Sequence, residues 1–199
     1  MRPILTSIAL TFLTFGAVHA RIAVAPTVAA SWAGAKATSS LPSAPVGNVT
    51  GIRAGIQVQK RITPHFYLAP GLFYSVYGYK TRWTGIDVQY RYNAAEVPLY
   101  LLLKTGMPCK PRLVLGAGLF GAMFVNNVSV SESGTHTMSG KNSPIVGVGL
   151  TVGLEFPRGL YISGTYQSMK NDMGTGPQNL FQYSLGVGFL FGKVSRKCS

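Results

Sequence analysis

Apolar and polar residues alternate with a period of two along most of the chain after residue 20. One such segment places Ile52, Ala54, Ile56 and Val58 on one face, against Arg53, Gly55, Gln57 and Gln59. Because successive side chains of a β-strand point to opposite faces, this period predicts a strand with one apolar face. The alternation recurs in about eight segments, approximately residues 22–33, 48–60, 66–79, 89–105, 112–126, 143–156, 159–170 and 180–191.

The face opposite the apolar one distinguishes a membrane barrel from a soluble one. In the sixth segment that face carries Gly147, Gly149, Thr151, Gly153 and Glu155, and in the last it carries Gln182, Ser184, Gly186 and Gly188. A soluble barrel fills its interior with large apolar side chains, whereas a narrow membrane barrel keeps its apolar side chains outside. The composition, 47% hydrophobic and 12% charged, agrees. We therefore predict an all-β fold, a transmembrane up-and-down antiparallel β-barrel of about eight strands.

The connections between segments differ in length. Short ones lie around residues 61–64, 107–111 and 157–158, and longer ones around 34–47, 80–88, 127–142 and 171–179. Outer-membrane barrels have short periplasmic turns and long external loops, so both chain ends should face the periplasm. Aromatic residues near strand ends would form an outer interfacial girdle. These residues are Trp32, Tyr77, Tyr79, Trp83, Tyr90 and Tyr92.

The first 20 residues have the pattern of a cleaved secretory signal. Arg2 precedes an apolar stretch from Ile4 to Val18, and Val18-His19-Ala20 fits a cleavage site. An uncleaved anchor is the alternative, but the stretch is shorter than the roughly 20 residues of a spanning helix. We expect a signal peptide at 1–20, a barrel at 21–192 and a short basic tail at 193–199, located in a bacterial outer membrane. No later apolar run has the length of a spanning helix.

Several sequence stretches together resemble one family of small barrels. They are Gly51-Ile52-Arg53-Ala54-Gly55, residues 66–75, Glu96-Val97-Pro98-Leu99, Leu115-Gly116-Ala117-Gly118 and residues 185–189. In these the chain resembles the PorT-like outer-membrane proteins of the Bacteroidetes type, within the wider set of OmpA- and OmpX-like barrels. Ala94 departs from the family pattern, and the first strand matches weakly. The resemblance implies an architecture and a location more than an activity.

The chain is strongly basic, with a formal net charge of +13. Such a charge can indicate nucleic-acid binding, but the basic residues are scattered singly and an exported chain does not meet nucleic acid. The expected partners are outer-membrane lipid and lipopolysaccharide, whose phosphates attract basic rims. Ordinary solvated charge is the alternative. Envelope or secretion-system proteins are further possible partners.

Glu96 is one of only five acidic residues and lies within a predicted strand. If the alternation holds, Glu96, Tyr100 and Lys104 face the lumen together. Arg53 and Gln57 could lie across from them, and an Arg53–Glu96 pair is expected because a lone charge in a narrow lumen is costly. This candidate polar network would act either as a gate or proton-coupled path, or as a plug that fixes strand register.

Candidate chemistry elsewhere is weak. His65 lies in a predicted turn, and His136 lies in a long loop with Glu132, Ser133 and Ser139, without a flanking nucleophile motif. We expect no catalytic residues, no metal site and no cofactor. Cys109 and Cys198 both fall at the predicted periplasmic rim, where either a disulfide or two thiols is possible.

The sequence thus favours a non-enzymatic outer-membrane barrel with a structural, surface-binding or secretion-accessory role. A narrow, porin-like transport pore is the first alternative, although an eight-stranded lumen is about filled by side chains. A lipid-modifying outer-membrane enzyme and a soluble secreted lipid carrier are less favoured.

Overall fold

The computed structural model describes residues 22–37, 45–83, 86–106, 110–131, 134–138, 144–171 and 178–192. All of the regular elements in these ranges are β-strands: β1 Ile22–Ala37, β2 Pro45–Arg61, β3 Phe66–Trp83, β4 Ile86–Lys104, β5 Arg112–Ser131, β6 Gly134–Met138, β7 Ile145–Glu155, β8 Leu160–Asn171 and β9 Gln178–Phe189. No described residues form a helix that is long and apolar enough to cross a membrane.

Eight of these strands close into a barrel. The sheet runs in the order β4-β3-β2-β1-β9-β8-β7-β5, and a further β4–β5 pairing joins its two edges. Each pairing is antiparallel, for example between β1 and β9 and between β4 and β5. The predicted all-β, up-and-down antiparallel barrel is confirmed. Closure also removes the unpaired sheet edges that would otherwise be exposed.

The outer face of the barrel is apolar, as the alternation predicts. On β7, Val146 and Leu150 are 69% and 58% exposed, whereas Thr151 and Glu155, on the other face, are buried. On β4, Val97 is exposed and Glu96 is buried. A contiguous apolar exterior around an interior that holds buried charged side chains is the reverse of a soluble protein and is typical of a surface that contacts lipid.

Glycines on the inner face allow strands to approach closely. A methyl group at the inward Gly118 of β5 would lie 2.8 Å from the Tyr100 Cα atom of β4, whereas one at Gly121, on the outer face, would have nothing within 4 Å. We expect Gly118→Ala to destabilise the barrel by about 1–3 kcal/mol through overpacking. Gly121→Ala, the matched control, should change the free energy of unfolding by less than about 0.5 kcal/mol. Urea unfolding in detergent micelles would measure both, and equal effects would contradict the packing explanation.

Three short turns and both described chain ends lie at one end of the barrel, which we call the short-turn end. Residues 62–65 connect β2 to β3, residues 105–111 connect β4 to β5, and residues 156–159 connect β7 to β8. In the last turn Gly159 has a φ of +96°, a conformation that glycine adopts without strain, and its N–H donates to the Phe156 carbonyl. Val24 pairs with Phe191 at the same end. The opposite end is the loop end.

The loop end contains more strand than the sequence predicts. Residues 80–83 and 86–88, expected in a loop, continue β3 and β4, and residues 127–131 and 134–138 form a β5–β6 hairpin. β2 to β5 have 17 to 20 residues, whereas β7 to β9 have 11 or 12. A transmembrane strand needs about 9–11 residues, so the longer strands project beyond it. Residues 79–83, 86–92, 127–131 and 134–138 form this projection, which we call the extension.

The outer face of β4 changes character where the extension begins. Val97, Leu99 and Leu101 are exposed and apolar, but the outward positions nearer the loop end include Arg91 and Asp87. The strands continue there by backbone pairing, outside the apolar band: Trp83 pairs with Ile86, and Ser131 pairs with Gly134. The loop prediction was wrong for these segments. It relied on apolar alternation, whereas strands can pair through their backbones without an apolar face.

The aromatic girdle also differs from the prediction. Tyr77, Tyr79 and Tyr92 are buried and face the lumen, because they share a strand face with inward residues such as Ser75 and Glu96. Trp32 does lie on the outer face, where it pairs with Tyr183. Tyr183 in turn contacts Tyr166, with ring centroids 5.0 Å apart. The outward aromatic row described by the structure is therefore Trp32, Tyr183 and Tyr166.

Candidate functional site in the barrel lumen

A buried ion network closes the lumen at the short-turn end. Glu155, at the end of β7, accepts hydrogen bonds from Lys104 Nζ at 2.6 Å and from Arg112 Nη2 at 2.7 Å. Lys104 ends β4 and Arg112 begins β5, and Arg112 pairs directly with Glu155 in the sheet. Lys104 also donates to Gln59 Oε1 at 2.5 Å, and Gln59 donates to Gln57 Oε1 at 3.1 Å. We call this set the Glu155 network.

The Glu155 network holds two cations around one anion away from water. The side chains of Lys104, Arg112 and Glu155 are at most 3% exposed. Removing such charges from water is costly, and close pairing offsets the cost only when the geometry is good. The face of Tyr67 adds to the offset, because Lys104 Nζ lies 4.3 Å from its ring centroid. Removing Glu155 or one of its two cations would therefore leave a buried charge without its main partner.

A second network crosses the middle of the lumen around Glu96. The Glu96 carboxylate accepts from Arg53 Nε at 3.1 Å, from Gln167 Nε2 at 3.2 Å and from the Tyr77 hydroxyl. These partners come from β2, β8 and β3, so the Glu96 network links four strands, including strands that are not neighbours in the sheet. The Arg53 guanidinium also stacks on Phe73, with its Cζ atom 3.8 Å from the ring centroid.

The structure places all five sequence-derived lumen residues inside the barrel and divides them between two sites. Arg53 and Glu96 are in contact in the middle, whereas Gln57 and Lys104 belong to the Glu155 network. Tyr100 packs with Tyr67, Leu102, Val114 and Tyr161 in a cluster of its own. The lumen is thus filled in successive levels along its length.

Sequence reasoning missed three of the five members of the Glu155 network, Glu155, Arg112 and Gln59, and two of the four members of the Glu96 network, Tyr77 and Gln167. Glu155 and Gln59 lie on the polar faces of alternating segments, so the alternation contained the signal for both. Arg112 and Gln167 are also buried and lie at inward-facing positions of β5 and β8. The sequence contains no indication that these particular residues meet, because they are distant in the chain.

Aromatic and apolar side chains fill the lumen at the loop end. The buried cluster comprises Tyr77, Tyr79, Tyr92, Phe120, Phe124, Met169 and Leu180, with three alanines. The Tyr92 and Phe124 ring centroids are 5.5 Å apart, and those of Tyr79 and Tyr92 are 6.3 Å apart. Such ring pairs add about 0.5–1.5 kcal/mol each beyond the burial of their area. We call this cluster the aromatic plug.

An exposed ion pair lies on the extension. Arg82 Nε donates to Asp87 Oδ1 at 2.7 Å, and both side chains are 62% exposed. The hydrogen bond and the positive charge of Arg82 lower the pKa of Asp87. Exposed pairs contribute little to stability, so this pair is a useful control for the buried ones.

The other candidate residues form no site in the described part of the chain. His65 is exposed, and its Nδ1 atom lies 3.2 Å from the Lys104 carbonyl oxygen. His136 lies on β6, but its side chain, Glu132, Ser133 and Ser139 are outside the described residues, as are Cys109 and Cys198. Among the residues described, no three His, Cys, Asp or Glu side chains group as metal ligands.

Comparison with known proteins gives a structural likeness alone. No protein-family model matches the chain, and no curated protein sequence matches it. The outer membrane protein OprG of Pseudomonas aeruginosa is similar, with a TM-score of 0.52, 9% identity, and coverage of 87% of this chain and 97% of OprG. Ail of Yersinia pestis has a TM-score of 0.47 and 12% identity, covering 86% and 99%. Neisserial surface protein A has a TM-score of 0.47 and 19% identity, covering 85% and 97%. The OprG likeness supports the barrel fold.

Proposed function

We propose that the protein is a closed barrel of a bacterial outer membrane that conducts no solute and anchors a surface-binding extension. The observation that carries this proposal is the filled lumen. The Glu155 network, the Glu96 network and the aromatic plug occupy its two ends and its middle. A barrel filled in this way can anchor a surface structure in the membrane, but it offers solutes no path through the lumen, which disfavours the transport alternative.

The apolar exterior supports the location. Large apolar side chains are exposed on all eight barrel strands, including Val28, Ile56, Leu72, Leu99, Leu119, Val148, Ile162 and Leu185. A soluble protein rarely exposes contiguous apolar surface of this extent, whereas a lipid-facing barrel requires it. The export signal expected from the first 20 residues supports the same location.

The extension is the feature best suited to contact other molecules. It carries polar outward residues, such as Lys80, Arg82, Asp87 and Arg91, on a sheet that is held by its own pairing. β6 pairs with β5 along Asn127–Ser131. Backbone pairing already orders these strands, so they lose less conformational entropy on binding than an unpaired loop of the same length would. A secretion-accessory role, implied by the PorT-like resemblance, is the second candidate and would place the partner at the periplasmic rim.

Closure is tested by electrical recording. The chain purified from outer membranes and inserted into planar lipid bilayers should give no stepwise conductance above the lipid background, because charged and aromatic side chains block the lumen. Insertion is verified on the same sample by the different gel mobility of unheated and boiled protein. Regular single-channel steps from inserted protein would refute the closed barrel and establish the pore.

The binding role is tested by trimming the extension. Tyr79 pairs directly with Tyr90, so residues 80–89 can be replaced by Asn-Gly, which closes a two-residue hairpin. Because the extension exposes Lys80, Arg82 and Arg91, we expect expressing cells to adhere to polyanion-coated surfaces, heparin and polyphosphate, by charge attraction. Cells with the trimmed chain should lose this adhesion, while the trimmed barrel keeps its heat-dependent gel shift. A variant with His65→Ala in a short turn is the control and should adhere normally. Unchanged adhesion of trimmed cells, or no adhesion with the untrimmed chain, would exclude binding through the extension to these surfaces.

A further inference from the structure

Three rows of outward residues cross the same three strands at regular intervals. The residues in each row pair directly between β1, β9 and β8. The rows are Val28, Val187 and Ile162; then Trp32, Tyr183 and Tyr166; then Lys36, Asn179 and Lys170. Successive rows are four residues apart, which is about 13 Å along a strand. From the middle of the barrel to the loop end, the outer face therefore changes from apolar to aromatic to basic.

This order matches the layers of a lipid leaflet. Apolar side chains face hydrocarbon, amphipathic rings lie at the interface, and lysines reach the charged headgroups. Val28 is 52% exposed and Trp32 is 41% exposed. Lys36 and Lys170 are also exposed, and Asn179 between them is partly exposed. The basic row thus lies where the phosphates of the lipid would lie.

The spacing of the basic row suits one phosphate. Neighbouring strands are about 4.8 Å apart, so the Cα atoms of Lys36 and Lys170 are roughly 10 Å apart, with Asn179 between them. Two flexible lysine side chains can converge across that distance, and the Asn179 amide can donate from the centre. None of the four ion pairs of the described residues uses either lysine.

We propose that Lys36, Asn179 and Lys170 bind a phosphate of a phosphorylated glycolipid of the lipid A type in the outer leaflet. The inference rests on the proposed outer-membrane location with the loop end outward. A lipid is favoured over a soluble polyanion because the basic row continues an aromatic and an apolar row, which bind the sugar and acyl parts of the same molecule. The site gives a specific role to part of the net charge of +13.

The test compares two double variants with the same loss of charge. Lys36→Ala with Lys170→Ala removes two lysines of the proposed site. Lys60→Ala with Lys110→Ala removes two lysines at the short-turn end. Protein purified from outer membranes in mild detergent is depleted of lipid and titrated with bisphosphorylated lipid A, with the dephosphorylated lipid and with soluble polyphosphate. The heat-dependent gel shift of each variant verifies folding.

We expect the first double variant to bind bisphosphorylated lipid A roughly thirtyfold more weakly, because each lysine near an anionic surface contributes about fivefold. The second double variant should bind normally, as should Lys36→Arg with Lys170→Arg, and dephosphorylation should weaken binding in the original protein. Equal weakening in both alanine variants would reduce the effect to overall charge. Polyphosphate binding as tight as lipid A, through the same lysines, would make the ligand a soluble polyanion. Either result would overturn the proposed lipid site. The proposed function is tested separately, by the bilayer and adhesion experiments.

Discussion

Replacing Glu155 with glutamine is expected to lower the free energy of unfolding of the barrel by about 3–5 kcal/mol. The substitution keeps the size of the side chain but removes the negative charge that Lys104 and Arg112 share at 2.6 Å and 2.7 Å. Two buried cations then repel each other in a lumen that holds them at most 3% exposed. Urea unfolding in micelles, followed by tryptophan fluorescence and by gel mobility, measures the loss.

Asp87→Asn is the matched control for Glu155→Gln. It removes the acid of the Arg82–Asp87 pair, where both side chains are 62% exposed. Water screens such a pair, so the change should leave the urea midpoint close to that of the original protein. If Glu155→Gln cost no more than Asp87→Asn, the Glu155 network would not stabilise the barrel, and water would have to reach Lys104 and Arg112.

The second large effect is expected at the Arg53–Glu96 pair. Arg53→Met leaves a buried carboxylate, and Glu96→Gln leaves a buried guanidinium, so each single substitution should destabilise the barrel by about 3 kcal/mol or more. The double substitution removes both charges together. We therefore expect it to cost only about 1 kcal/mol more than either single one, which corresponds to a coupling energy of about 2 kcal/mol.

The same urea measurement on the four proteins of this cycle decides the result. Gly121→Ala serves as a control variant that should unfold like the original protein, since a methyl group there would have nothing within 4 Å. Single effects that add within about 0.5 kcal/mol would show that Arg53 and Glu96 act independently. In that case the bonds from Tyr77 and Gln167, rather than the ion pair, would hold Glu96.

The alternation of the sequence determined the fold and the direction of most side chains. A period of two leaves a strand only two faces, so Val148 and Leu150 had to point outward once Gly147, Gly149 and Glu155 pointed inward. The Arg53–Glu96 contact also followed, because a narrow lumen allows few places for a charge to find its opposite. The girdle prediction was wrong for Tyr77, Tyr79 and Tyr92 because it used their position near strand ends instead of this parity.

Only the tertiary structure decided which inward residues meet and where strands end beyond the membrane. Glu155 contacts Lys104, 51 positions away, and Gln167 contacts Glu96, 71 positions away. Such contacts depend on the register of closure, including the shift between Asn48 and Arg53 in the β2–β3 pairing, which no local pattern encodes. The extension likewise depends on β5 pairing with β6. Local sequence determines the face of a residue, whereas its partner is determined by how the strands are staggered around the barrel.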